Sequence, residues 1–171
     1  MTPPLDRRRR GLDARIDVGP REKVLAVTAA ADGTVLAGTR DAFYVRTDDE
    51  TRRVPWEQVE AADWDRDTET FRLSEVGTWG EQRPMHTAVL TDPGRLLELV
   101  RERVTASVVL QRRVAVSGRR GLRVIARRAP SGSGGVQWVY EYDEGIDPDD
   151  PAVREVARAA LQAMRGEVGL P

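Results

Sequence analysis

Cysteine and asparagine are absent from this chain, and lysine and histidine occur once each, as Lys23 and His86. Without a thiol there is no disulfide, no thiolate metal site and no cysteine nucleophile. With one imidazole, zinc lacks its usual ligands, and no metal site or cofactor is expected. A Ser-His-Asp arrangement would have to use His86, and no G-x-S-x-G elbow stands in the sequence, so a structural role is the reading adopted for it. No apolar run approaches the ~20 residues that span a bilayer, so no integral membrane segment is expected. The N-terminus is rich in proline and arginine and has no apolar stretch of the secretory kind, which points to the cytoplasm. Lopsided charge is missing too. The net charge of -1 gives no overall pull toward nucleic acid or acidic membranes.

What is present suits one domain, or one domain with an added lobe. The 171 residues are 40% hydrophobic and 32% charged, enough to bury a core. Residues 1–20 read as a flexible basic leader, with like charges at Arg7 to Arg10 and a break at Gly19-Pro20. Residues 23–30 are apolar on both alternations, predicting a strand covered on both sides. Asp32-Gly33 turns the chain into a second strand at 35–39, and Phe43-Tyr44-Val45 makes a third. Arg52 enters a fourth, which Pro55 should end because it cannot donate to a ladder. Trp56 and Val59, three apart, suit one helical turn that drops both side chains into the core. Asp65 to Thr68 is turn chemistry, and Phe71 and Leu73 then alternate with Arg72 and Ser74.

At Asp92-Pro93 the period changes from two to nearly four. Asp92 is placed to cap and Pro93 to occupy the first helical position. Leu96, Val100, Val104 and Val108 follow at intervals of four, predicting a helix that ends near Leu110 or Gln111. Strands then return, at Val114 and Val116, at 122–126, and at Val136, Trp138, Tyr140 and Tyr142. Asp150-Pro151 opens a last helix with Val153, Val156, Ala157, Ala160, Leu161 and Met164 on one face.

Short antiparallel strands followed by one amphipathic helix predict a bent sheet or partly open barrel capped by the helix. On the residues Val54-Pro55-Trp56-Glu57-Gln58-Val59, the hairpin at Asp67-Thr68 and the helix opened by Asp92-Pro93, the segment resembles the pleckstrin-homology-like superfamily, in its bacterial GRAM-type version. The whole chain also looks like a kind of protein common in actinobacteria. The expected fold is α+β: a PH-like domain over residues 21–110 and a C-terminal strand–strand–strand–helix lobe over 111–171. The resemblance implies a non-catalytic interaction module that binds another macromolecule, a protein first of all. Members that hold phosphoinositides use lysine and arginine in the loop joining the first two strands. That loop here is Ala29-Ala30-Ala31-Asp32-Gly33, without a cation, so the lipid role does not carry over.

The candidate interaction residues are electrostatic and aromatic. Arg112, Arg113, Arg119, Arg120, Arg123, Arg127 and Arg128 crowd a predicted hairpin, and between positions 101 and 128 only Glu102 opposes the arginines. They could face nucleic-acid phosphates, the alternative function. They could equally pair with the acidic residues at 41–69 and 141–150, within the chain or across a homodimer, and this is preferred because the two sets nearly cancel. No aromatic residue stands in the arginine segment to stack a base. Trp79, between glycines at 77 and 80, is either folded back on the core or an anchor for a partner. Three further clusters read as structural. Glycines 132–135 lead into a strand and not a phosphate-binding helix. Asp143, Glu144, Asp147, Asp149 and Asp150 lack the spacing of a calcium loop. The carboxylates from Glu57 to Glu69 form a solvated acidic face.

Overall fold

The computed structural model describes residues 15–78 and 81–169. Trp79 and residues 1–14 of the basic leader therefore lie outside the described residues. Within these limits the chain is α+β, with ten strands in three antiparallel sheets and two helices.

The first sheet is a meander of β1 (Ala26–Ala29), β2 (Val35–Gly38), β3 (Ala42–Arg46) and β4 (Thr51–Pro55), in that order. Its turns use the expected chemistry. Asp32 Oδ1 accepts from Thr34 N at 2.9 Å, and Gly33 takes φ 90°, a conformation that costs glycine little. Pro55 ends β4, and a single 3-10 turn, Trp56–Gln58, leads into the second sheet of β5 (Val59–Asp65), β6 (Thr70–Glu75) and β7 (Met85–Val89). Both Trp56 and Val59 are wholly buried. At the following turn Asp65 Oδ1 accepts from Asp67 N and Thr68 N at 2.9 and 3.2 Å. The two sheets do not close into a barrel. At one corner Ala31 N donates to Val89 O at 3.0 Å, and Thr28 Oγ1 to Asp92 O at 2.7 Å.

Helix α1 (Leu96–Ser107) covers this bent scaffold. Leu36, Phe43, Val54, Trp56, Phe71 and Leu73 from the sheets meet Leu96 and Val100 in one core, with Leu97 and Val104 at its border. The helix differs from expectation at both ends. Asp92 does not cap it; its Oδ1 accepts from Gly94 N at 3.1 Å, and Gly94 at φ 52° turns the chain before Leu96. At the other end Val108 belongs to a strand. Its register opposite Arg127, and that of Leu110 opposite Ala126, shows that the ladder takes the Val108-Val109-Leu110 run that the helical stripe had claimed. β-branched neighbours in sequence favour this outcome. A further difference concerns β1. Leu25, just before β1, and Val27 within it are 45% and 40% exposed, so the strand is covered on one face and not on both. Cover on the first sheet comes instead from Ile16, Val18 and Val24, which pack against Ala37, Ala42 and Tyr44.

The third sheet has the order β10-β9-β8, from β8 (Val108–Ser117), β9 (Arg120–Arg127) and β10 (Gln137–Tyr142). Helix α2 (Pro151–Val168) lies against it, completing the strand–strand–strand–helix lobe. Here the cap is as the sequence predicts: Asp150 Oδ1 accepts from Ala152 N at 2.7 Å and Pro151 opens the helix. Leu122 and Val124 of β9 form a second core with Ile146, Val153, Ala157, Ala160 and Met164.

Candidate functional site

Along α1, Leu97, Arg101, Val104 and Thr105 recur at helical spacing on the flank that looks across to β5. Because β5 is the outer strand of its sheet, α1 and β5 do not seal against each other. Between them lies a cavity of about 410 Å³ whose wall is made by Trp64, Phe71, Leu97, Val100 and Val104, with Asp63 and Arg101 at the rim. Phe71 and Val100 are themselves core residues, so the groove reaches down to the hydrophobic interior. An apolar concavity beside a strand edge is suited to an apolar group from a partner. The sequence identified Trp64 as a strand residue and Val104 as part of the stripe. It gave no sign that the two would face each other across an open space.

The arginines are spread over both faces of the third sheet. Alternate residues of β9 point to opposite sides, so Leu122 and Val124 face α2 while Arg123 and Arg127 share the other face, as the sequence implies. Arg112 lies opposite Val124 and donates to Glu167 of α2 at 2.6 Å. Arg113, opposite Arg123, grips Asp143 through two bonds, one of 2.5 Å, and Arg123 donates to Glu141 at 3.1 Å. The carboxyl groups of Glu167 and Asp143 are held below the usual carboxylate range by these partners, Arg112 for the first and Arg113 with Gly121 N for the second. Arg119 and Arg120 stand exposed at the hairpin tip, and Arg128 is half-buried beyond the strand. The aromatic residues missing from the arginine segment are supplied by β10. Trp138, Tyr140 and Tyr142 lie opposite Ala126, Val124 and Leu122, on the α2 side. Stacking surface and the paired Arg113 and Arg123 are thus on opposite faces.

Arg127 is only 3% exposed. It donates to Ser107 Oγ at the end of α1 and to Glu60 O of β5, both at 3.1 Å. Burial pushes the guanidinium below its ordinary pKa, against the pull of Glu141 and Glu60. Burial likewise raises the Glu60 carboxyl, and Arg83, 2.5 Å away, only partly offsets it. A hydrogen bond between Gln58 and Gln137 joins the lobes near the same place. Arg127 is therefore a pin between the lobes, which its place in a run of surface arginines does not reveal.

His86 is placed by β7 so that its Nε2 lies 2.7 Å from Glu75 Oε1 on β6. Arg52 of β4 grips the same carboxylate through Nε at 2.7 Å and Nη2 at 2.8 Å, tying the first sheet to the second. The Arg52 hydrogen bonds hold the Glu75 carboxyl below the usual range despite burial, with His86 adding to the effect. The stability from this depressed pKa is present above the ordinary glutamate value, about 4.3, and is lost as the pH falls through the lower folded value. Glu75→Gln is expected to cost about 1–2 kcal/mol at neutral pH, since Arg52 is half exposed and its charge partly screened. The gap from the parent should close on acidification, as read from melting temperatures across the acid range. A gap that stays constant with pH would mean the ion pair is not its source. Among the described residues no group of three or more histidine, cysteine or acidic side chains is placed to hold a metal, and no helix is long and apolar enough to cross a membrane.

Compared with protein-family models, with curated proteins and with solved structures, the chain finds no match.

Proposed function

We propose that residues 21–110 are a PH-like interaction module of the GRAM type, and that the chain acts in the cytoplasm by binding another protein, without catalysis of its own. The occupant of the β5–α1 groove in this reading is an extended segment of the partner that inserts one large apolar side chain. The observation that carries it is the groove itself: apolar walls of Trp64, Leu97, Val100 and Val104, next to the outer strand of a sheet. An outer strand offers backbone donors and acceptors to an extended chain, while the pocket selects its side chain. Two antiparallel sheets capped by one helix support the PH-like part. Protein is preferred to nucleic acid because Arg112, Arg113 and Arg123 already carry carboxylate partners and Arg127 is buried. Pairing of this kind removes much of the counterion release on which phosphate binding depends.

The test is peptide selection against the purified chain, followed by the variant Val104→Arg. Val104 is only partly buried, so a long cation there can reach solvent and leave the fold standing. Selected peptides should share one bulky apolar residue and lose at least about tenfold in affinity toward the variant, while its circular dichroism spectrum is unchanged. Peptides that bind both proteins equally would place the partner elsewhere.

A further inference from the structure

We propose that β8 is the interface of a symmetric homodimer. Two copies of the chain pair their β8 strands antiparallel about a twofold axis at Arg113, joining their three-stranded sheets into one of six strands. β8 is an outer strand and, at ten residues, the longest of them. Among the described residues no strand pairs with its outward side. A long bare strand of this kind presents a row of backbone donors and acceptors for another chain to use. The other outer strands are short or flanked. β1, β4 and β7 have four or five residues, β5 has the groove and α1 beside it, and β10 has Gly77 and Pro148.

The register follows from which backbone groups β9 leaves unused. Asp143 N donates to Gly121 O, so the odd-numbered residues of β9 turn their backbone groups toward β10. Its even-numbered residues turn toward β8, where Leu122, Val124 and Ala126 lie opposite Val114, Arg112 and Leu110. Gln111, Arg113 and Ala115 therefore direct their N–H and C=O groups outward, within a run from Leu110 to Ala115 that keeps constant register. An antiparallel copy must set these odd-numbered residues against one another. Only an axis at Arg113 uses all three: Gln111 meets Ala115 of the second copy, and Arg113 meets its counterpart. On the α2 side, Arg112 then meets Val114 and Leu110 meets Val116. Leu110, Val114 and Val116 border the second core and are only partly buried, so the continued sheet completes their cover. Two free arginines facing each other would oppose the pairing. Each Arg113 is instead held by its own Asp143 through two bonds, and Arg112 is taken by Glu167. The charges that ordinarily guard an outer strand are thus cancelled within the chain. Symmetry favours a second copy over a foreign strand, because both sides present the same alternation and a twofold pairing closes after two copies.

Sedimentation velocity of the full-length chain is the test. At roughly 100 µM it is expected to run at twice the 19.0 kDa chain mass. Gln111→Pro removes an N–H that points away from β9, so the internal ladder keeps its bonds, and should weaken dimerisation at least about tenfold. Asp143→Asn leaves an oxygen for Arg113 but removes the charge that neutralises it. The two Arg113 cations then repel across the axis, and dimerisation should again fall about tenfold. Adding Arg113→Gln to Asp143→Asn should restore it, which a merely structural role of Asp143 would not do. Circular dichroism follows the fold of each variant. A monomer at the same concentration would overturn the dimer, and would be the result if β8 serves a foreign strand. A dimer that Gln111→Pro and Asp143→Asn leave unchanged would overturn β8 as its interface, and Asp143→Asn alone decides this if the proline variant does not fold.

Discussion

Trp56→Ala is expected to remove about 3–5 kcal/mol of stability, a large share of the roughly 5–15 kcal/mol that domains possess. The indole is fully buried at the join between the two sheets, where the 3-10 turn delivers it beneath α1. Its ring lies 6.0 Å from that of Phe43, which in turn lies 5.9 Å from Phe71, so the three rings line the interior from the first sheet into the second. Nε1 donates to Thr39 O at 3.0 Å. Truncation would leave that buried carbonyl without its donor and open a void that rigid strands cannot collapse to fill. The neighbouring backbone is fitted to the same packing. A Cβ on Gly38 would come within 2.5 Å of Leu99 Cδ2 and 3.3 Å of Trp56 Cζ2, so helix and indole together fill the space a side chain there would need. Trp56→Phe separates the terms. It keeps much of the buried area and loses the hydrogen bond, and should cost clearly less than the alanine variant. Urea denaturation followed by circular dichroism measures both, and a change near zero for Trp56→Ala would mean that the sheet–helix core does not depend on the indole.

Much of this architecture is written in short-range signals. The turns at Asp32-Gly33 and Asp65 to Thr68, the Pro55 stop, the Trp56 and Val59 spacing and the Asp150-Pro151 cap each depend on a few consecutive residues, and each was legible. Asp92-Pro93 shows where local chemistry misleads. The same pair that can cap a helix can make a turn, and Gly94, adopting positive φ, decides for the turn. Val108 is a second instance. Its place on the helical stripe was real as a spacing, but pairing opposite β9 outweighs it, and a single sequence does not display that partner. The candidate sites were less legible for the same reason. The groove brings together Trp64 and Leu97, more than thirty residues apart in sequence. Arg127 cannot be told from Arg128 by composition, although one is buried beneath the other lobe and the next lies at its margin. His86 reads as structural in the sequence, but its partner Glu75 and the Arg52 that holds it stand on two other strands, which no local pattern displays.

Gly121→Ala is the counterpart in the C-terminal lobe, with an expected cost of about 3 kcal/mol or more. A Cβ at this position would lie 2.0 Å from Val114 O and 2.9 Å from Val114 C. Both are backbone atoms of β8 inside a hydrogen-bonded ladder, so no side-chain rotation can relieve the clash. Relief requires β8 and β9 to separate beside the irregularity between Ala115 and Ser117. Gly121 is also clamped from the other side: its N–H donates to Asp143 Oδ2 at 2.8 Å, and Asp143 N donates to its carbonyl at 3.0 Å. Gly118→Ala provides the control. Gly118 adopts φ 60° with nothing within 4 Å of a Cβ, so alanine there meets only backbone strain, about 1 kcal/mol. Amide hydrogen exchange along β9 should rise steeply in the first variant and little in the second; equal protection would show that the close approach of the strands is not fixed. The consequence extends beyond the lobe. The far end of β9 carries Arg127, which pins Ser107 and Glu60, and Val104 and Thr105 one turn before Ser107 form part of the groove wall. Loosening β9 therefore frees the end of α1, and Gly121→Ala should weaken peptide binding at a groove to which it contributes no atom.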